Sequence, residues 1–297
     1  SQKNIHLVFN GEIYNYLELR QELEEKGYKF YTDGDVEALI YLYEEEGVKA
    51  INKLNGMFAF AFYNQLNGDL SIVRDGYGVK PMYYAETQDG VFFASEVKAL
   101  LAMGVKPGAL DAQTIARYNT YLWNPAIELP SNNIKKLMPG HCLKIYKGII
   151  ISNYRWFDIK RQTKKVYKSR KIEEYINDTR KYIRKAVHSQ MVSDVEVGAF
   201  LSGGLDSTSV VTFAKEVNPN IRCFTIDSNL SEVGLPDDLP YAKQAANHLN
   251  VPLEVIKVDH KNLSGDIEFL IESLEEPLAD PAPLNVLYIS QLARKNG

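Results

Sequence analysis

Ser202-Gly203-Gly204-Leu205-Asp206-Ser207 packs two glycines, two serines and one carboxylate between the apolar run Val195–Leu201 and Thr208-Ser209-Val210-Val211. The apolar run predicts a buried strand, and the stretch after the loop predicts a helix start. Glycines at such a turn let backbone approach a ligand closely. The first helical N–H groups and both serine hydroxyls would then face a polyphosphate. A carboxylate cannot donate to phosphate, so Asp206 is the candidate holder of the Mg2+ that screens phosphate charge. The lysine-bearing GxxxxGK[ST] pattern is absent, which argues against the ordinary kinase or GTPase loop. The bland alternative is a Ser/Gly turn in which Asp206 merely caps the helix.

A second group is Asn10-Gly11-Glu12-Ile13-Tyr14-Asn15. The Asn10 amide and the Gly11 N–H, side by side at a strand end, could donate jointly to one oxyanion. Glu12 beside them could receive a substrate ammonium. A plain Asn-Gly turn leading to a helix capped by Asn15 fits the same residues, and both readings stay open. Asp35 stands where a helix N-cap belongs.

The elements that would hold these groups alternate. Residues 6–9 predict a strand, followed by a helix with Leu19 and Leu23 inward and Gly27 closing it. Val36, Leu39, Ile40 and Tyr43 have helical spacing, ended by Gly47. In residues 57–63 Phe alternates with Ala, predicting a strand with one bulky and one small face. Asn67-Gly68 is a hairpin turn into residues 70–73. A strand at 91–94 and a short helix at 96–103 follow. Residues 107 to about 167, with prolines at 125, 130 and 139, read as weakly ordered domain end and linker. Beyond lie a helix at 172–191, strand 195–201, helix 207–217, strand 221–226, helix 239–249, strand 253–258 and helix 262–274. Strict alternation with β-branched strands predicts a parallel, doubly wound sheet, whose ligands bind at the carboxyl ends of its strands.

Composition narrows the classes. At 297 residues and 45% apolar content, two domains are expected. The formal charge of −4 and the polar-interleaved cluster Lys160–Lys171 favour a solvated linker over a nucleic-acid surface. Two distant cysteines, Cys142 and Cys223, form neither a disulfide scaffold nor a zinc module, and they fit a reducing, cytoplasmic compartment. No apolar stretch approaches a membrane span, and no signal peptide leads the chain.

VFNGEIYNYLELRQELEEKGYKF, LNGMFAFAFYN, RDGYGVKPMYY and FASEVKAL closely resemble the class II, N-terminal-nucleophile glutaminase domain of glutamine-dependent asparagine synthetases. VEVGAFLSGGLDSTSVV, CFTID, LPYAKQAANHLNV and EEPLADPAPLN resemble their ATP-pyrophosphatase domain. The resemblance implies an αββα glutaminase-like domain over 1–157 and a doubly wound ATP-pyrophosphatase domain over 168–297, both incomplete. It implies that ATP with Mg2+ adenylates aspartate and that ammonia from glutamine then gives asparagine, AMP and pyrophosphate. Carried over by position, Asn10 and Gly11 would form the oxyanion hole. Asn10, Gly11, Glu12 and Asp35 would bind glutamine, the two carboxylates taking its α-amino group. Ser202, Gly203, Gly204 and Ser207 would cradle the pyrophosphate, with Asp206 on Mg2+ and Phe200, Leu201 and Ile226 near adenosine. Arg74, Asp75, Glu96 and Lys98 would serve architecture, and a homodimer is implied.

The family's nucleophile is an amino-terminal cysteine. Ser1 heads this sequence, neither Cys142 nor Cys223 is placed to substitute, and the second nucleotide loop of the family is not seen. The expectation is a fragment lacking both ends and inactive alone. Three other readings remain: amidation of another carboxylate such as a sugar acid, β-lactam-synthetase-like ring closure, and a non-catalytic regulator on the same scaffold.

Overall fold

A computed structural model describes residues 4–159, 170–227, 237–258, 263–280 and 282–297. The chain divides into two compact units: Ser1–Gln162 with Glu275–Ala279, and Thr163–Leu274 with Asp280–Gly297.

The first unit contains β1 (Ile5–Ile13), α1 (Tyr16–Glu25), α2 (Asp35–Glu46), a 3-10 turn (Gly47–Lys53), β2 (Gly56–Asn64), β3 (Asp69–Arg74), β4 (Tyr83–Thr87) and β5 (Gly90–Ala94). It continues with α3 (Val97–Ala102), α4 (Ala112–Tyr121), β6 (Lys135–Lys136), β7 (His141–Tyr146) and β8 (Ile149–Arg155). One antiparallel sheet has the order β1-β2-β3-β7-β8, the other β5-β4-β6. The Phe/Ala alternation of β2 explains the layering. Phe58, Phe60 and Phe62 pack with Leu19 and Leu23 of α1 and Leu39 and Leu42 of α2. Ala59 and Ala61 turn the other way and join Met82, Tyr84 and Leu137 between the two sheets. Small residues there let the sheets approach, as two facing β layers require. Behind the second sheet, Tyr83 and Ala85 bury Leu100 of α3. The result is the expected αββα stack.

The second unit contains α5 (Ile172–Ser189), β9 (Ala199–Phe200), α6 (Leu205–Val217), β10 (Cys223–Asp227), α7 (Leu239–Leu249), β11 (Leu253–Lys257), α8 (Leu263–Ser273) and α9 (Ala282–Lys295). Its sheet is parallel, in the order β11-β10-β9. Val211 and Ala214 of α6, Ala246 of α7 and Cys223 of β10 form the core with Leu201. The doubly wound pattern holds.

Three expectations need correction. The strand foreseen at 195–201 is only Ala199–Phe200; at its expected start the chain bends, and the Ser193 hydroxyl accepts the Val195 N–H at 3.2 Å in place of a ladder partner. Val195 is consequently exposed. Residues 107–157 are not weakly ordered: they supply α4, β6 and the β7–β8 hairpin. Their prolines fall between elements, and Lys147 and Gly148, both at positive φ (48° and 79°), make the tight turn that joins β7 to β8. Asn15 does not cap α1 with its side chain, which instead donates to the Lys53 carbonyl and accepts the Asn55 N–H, both at 2.9 Å. Most of the basic cluster, residues 160–169, lies outside the described residues.

Candidate functional sites

In the first unit, Asn10, Gly11 and Glu12 lie inside β1, opposite Ala59, Phe58 and Met57, and not at a strand end. Pairing continues to Ile13 because Gly11 permits it. At φ 150°, a Cβ on Gly11 would sit 2.1 Å from the Met57 carbonyl oxygen. Phe9 faces the helical layer, so the strand's alternation turns Asn10 to the other side. There its amide donates to the Ser95 hydroxyl at 3.1 Å. Asp35 is not the cap of α2. Gly34 is, and Asp35, first in the helix, accepts the Ile13 N–H at 2.8 Å. That bond ties the start of α2 to the end of β1. Asn10, Gly11 and Glu12 therefore share the last rungs of β1, and a single long-range bond brings Asp35 to Ile13 at the strand's end. Glu12 is exposed, and its charge helps to raise the Tyr14 phenol, after burial of that ring.

The turn after β3 is held by two side chains. The half-buried Arg74 guanidinium donates to the carbonyls of Lys80 and Gly78 at 2.8 Å and of Leu137 at 2.7 Å. Asp75, 1% exposed, accepts N–H groups from Tyr77, Val79 and Lys80 at 3.0 Å and Phe58 at 3.3 Å. These residues spend their polarity on backbone. Both cysteines are buried. Burial pushes both thiols up, Cys223 to about 11, so neither offers a thiolate at neutral pH.

In the second unit, the loop after β9 lies at the carboxyl end of the sheet. The Ser202 and Ser207 hydroxyls are 3.0 Å apart, and Ser202 Oγ accepts the Gly204 N–H at 3.3 Å. The hydroxyls thus close the loop on each other. Gly203, at φ 81°, passes so near α7 that a Cβ would stand 2.2 Å from the Tyr241 carbonyl carbon. Gly204 caps α6, and Asp206 is exposed in its first turn. A cavity of about 380 Å3 opens here, lined by Phe200, Leu201, Ser202, Ser207 and Ile226, all foreseen. Asn285 and Ile289 also line it and were not foreseen. Asn285 and Ile289 come from α9, beyond the reach of any local motif. A larger cavity of about 610 Å3 lies by Gly198, Arg222 and Pro252, at the amino ends of the strands. The smaller one is the candidate ligand site by position, since parallel sheets bind at their carboxyl ends.

Among the described residues no group of three metal-ligating side chains occurs. The exposed Asp206 at a helix N-terminus, with Asp237 and Asp238 on the cavity wall, fits a Mg2+ bound mostly through phosphate oxygens and water.

An αββα stack followed by a parallel α/β sheet with a glycine- and serine-rich loop after its first strand is the architecture of a two-domain chain whose first domain is of the glutamine amidotransferase class. Residues 1–157 match the glutamine amidotransferase domain family, and the chain belongs to that family. Residues 178–297 match the asparagine synthase family, which makes the chain a relative of the glutamine-hydrolysing asparagine synthetases. It is 34% identical over 98% of its length to "Asparagine synthetase [glutamine-hydrolyzing] 1" of Bacillus subtilis. It is 31% identical over 98% to a putative asparagine synthetase of Mycobacterium tuberculosis, and 28% identical over 99% to the amidase chyE of Penicillium rubens. The chain spans 45% of the length of each.

Proposed function

We propose that the full-length protein makes asparagine from aspartate, using glutamine as nitrogen donor and ATP as activator. The observation that carries this reading is the order of the two family matches, 1–157 and 178–297, along one chain. In the first domain, taken as 1–157, Asn10 and Gly11 donate to the oxyanion that forms on the glutamine amide carbon. Glu12 and Asp35 take its α-ammonium. In the second, taken as 168–297, the aspartate side-chain carboxylate attacks the α-phosphorus of ATP and pyrophosphate leaves. Ammonia then attacks the acyl carbon of the β-aspartyl-AMP, and AMP departs. Ser202, Gly203, Gly204 and Ser207 hold the pyrophosphate portion, the serine pair opening to donate outward. Phe200, Leu201 and Ile226 border the adenosine. Mg2+, held at Asp206 and on phosphate oxygens, would screen the charge that develops.

Two buried free cysteines support a reducing, cytoplasmic setting. Among the described residues no helix is long and apolar enough to cross a membrane. A homodimer and an absence of nucleic-acid partners complete the proposal. The test supplies glutamine labelled with heavy nitrogen in its amide, together with aspartate and ATP. Labelled asparagine with equal AMP and pyrophosphate is expected. No labelled asparagine, or release of AMP without uptake of the label, overturns the reading.

A further inference from the structure

Residues Glu275–Ala279 run between α8 and α9 of the second unit yet belong to the first. They are held there at three points. The Glu275 carboxylate accepts N–H groups of Val97 and Lys98 and pairs with the Lys98 ammonium at 3.1 Å. The Glu276 carboxylate accepts the Tyr83 hydroxyl at 3.0 Å, the Tyr118 hydroxyl at 2.9 Å and the Lys136 ammonium at 3.0 Å. Ala279 donates its N–H to the Leu122 carbonyl at 2.9 Å. Pro277 keeps the segment from becoming helix.

Glu276 sits in a socket, not a surface ion pair. Its side chain is 19% exposed and that of Lys136 13%, and its donors come from β4, α4 and β6. Tyr83 and Tyr118 are buried, and burial followed by the Glu276 charge raises both phenols, so both remain O–H donors. A largely enclosed charge met by three donors specifies position more than it adds stability. The position it specifies has a consequence along the chain. Directly after Ala279, Asp280 accepts the N–H of Ala282, the first residue of α9, at 2.8 Å. The first turns of α9 then carry Asn285 and Ile289, which line the candidate nucleotide cavity. A short covalent path thus runs from the Glu276 socket to that cavity wall.

We propose that Glu276 is a positioning residue: its socket of Tyr83, Tyr118 and Lys136 fixes the α8–α9 connection to the amidotransferase unit and couples glutamine use to amide synthesis. The inference rests on the function proposed above. It assigns Glu276 no contact with substrate.

The experiment uses the full-length protein, with Glu276→Gln to remove the charge at constant volume. Tyr83→Phe with Tyr118→Phe removes two donors and keeps the carboxylate. Three rates are read: glutamate formed from glutamine, amide formed from added ammonia, and amide formed from glutamine. Equal glutamate and amide are expected of the wild type. In both variants that ratio should rise about fivefold or more, with ammonia-supported synthesis held within about twofold. Hydrogen exchange at the start of α9 should speed by about tenfold. An unchanged ratio in either folded variant, or an equal fall of all three rates, overturns the coupling role. If Glu276→Gln does not fold, the double phenol variant decides. Wild type that makes no amide from either nitrogen source overturns the proposed function and the coupling with it. An active wild type whose variants stay coupled overturns the coupling alone.

Discussion

The two units hold their candidate groups by different means. In the first, Asn10 and Gly11 are rungs of a β ladder opposite Ala59 and Phe58, the Phe58–Phe60–Phe62 row lies within that same sheet, and buried Asp75 follows directly on β3. In the second, Ser202 to Gly204 form a turn ahead of α6 and Leu205 to Ser207 begin that helix, with Leu205 and Asp206 in solvent. Helix α5 there has no fully buried residue, whereas α2 buries Ala38, Leu39, Tyr41, Leu42 and Tyr43. The difference teaches where a substitution is felt. Changes near the amidotransferase groups cost stability before chemistry, and changes in the phosphate-type loop cost chemistry before stability.

The largest expected effect is Phe60→Ala. It empties a fully buried ring site and should cost about 4 kcal/mol, seen as fast exchange across β1 to β3. Val210→Ala, on the half-exposed side of α6, should stay within about 0.5 kcal/mol, and an equal cost there would break the contrast. Asp75→Ala comes next, at about 3 kcal/mol by denaturant titration, because it strands buried N–H groups that the carboxylate now accepts.

A smaller effect is expected at Cys223, whose thiol burial raises from 9.0 to about 11. The folded state keeps the proton longer than the unfolded chain does. The contribution is therefore complete below pH 9 and is lost as pH rises through about 11, on the order of 2 kcal/mol. Cys223→Ala should lack that share of the alkaline slope; identical slopes would contradict the assignment. Least costly to the fold is Asp206→Ala. Thermal unfolding should not move, while affinity for ATP with Mg2+ should drop about tenfold by calorimetry. A loss of stability there would erase the distinction between the units.

Local pattern made much of this legible. The Phe/Ala alternation of β2 announced a two-faced strand, and that strand separates two of the four layers. Strand–loop–helix punctuation placed Ser202–Ser207 at a carboxyl strand end. What stayed hidden was set by distant partners. Ser95 meets Asn10 and the Ile13 N–H meets Asp35 only once the strands pair. Asn285 and Ile289 reach the cavity from the last helix. The β7–β8 hairpin did carry a signal, since Lys147-Gly148 joins two apolar runs, but the surrounding prolines drew attention to breaks. Asn10-Gly11 misled in the opposite sense. The pair has turn chemistry, yet the open backbone of Gly11 serves close strand approach.

Adenylation of a carboxylate is the central step of the proposed reaction. The decisive measurement gives the full-length protein aspartate labelled with heavy oxygen in its side-chain carboxylate, with ATP and glutamine, and follows the label by mass spectrometry. AMP carrying one labelled oxygen is the predicted result, because the carboxylate oxygen that attacks the α-phosphorus leaves with AMP. Label in inorganic phosphate with ADP as the product, or AMP without label, would contradict it.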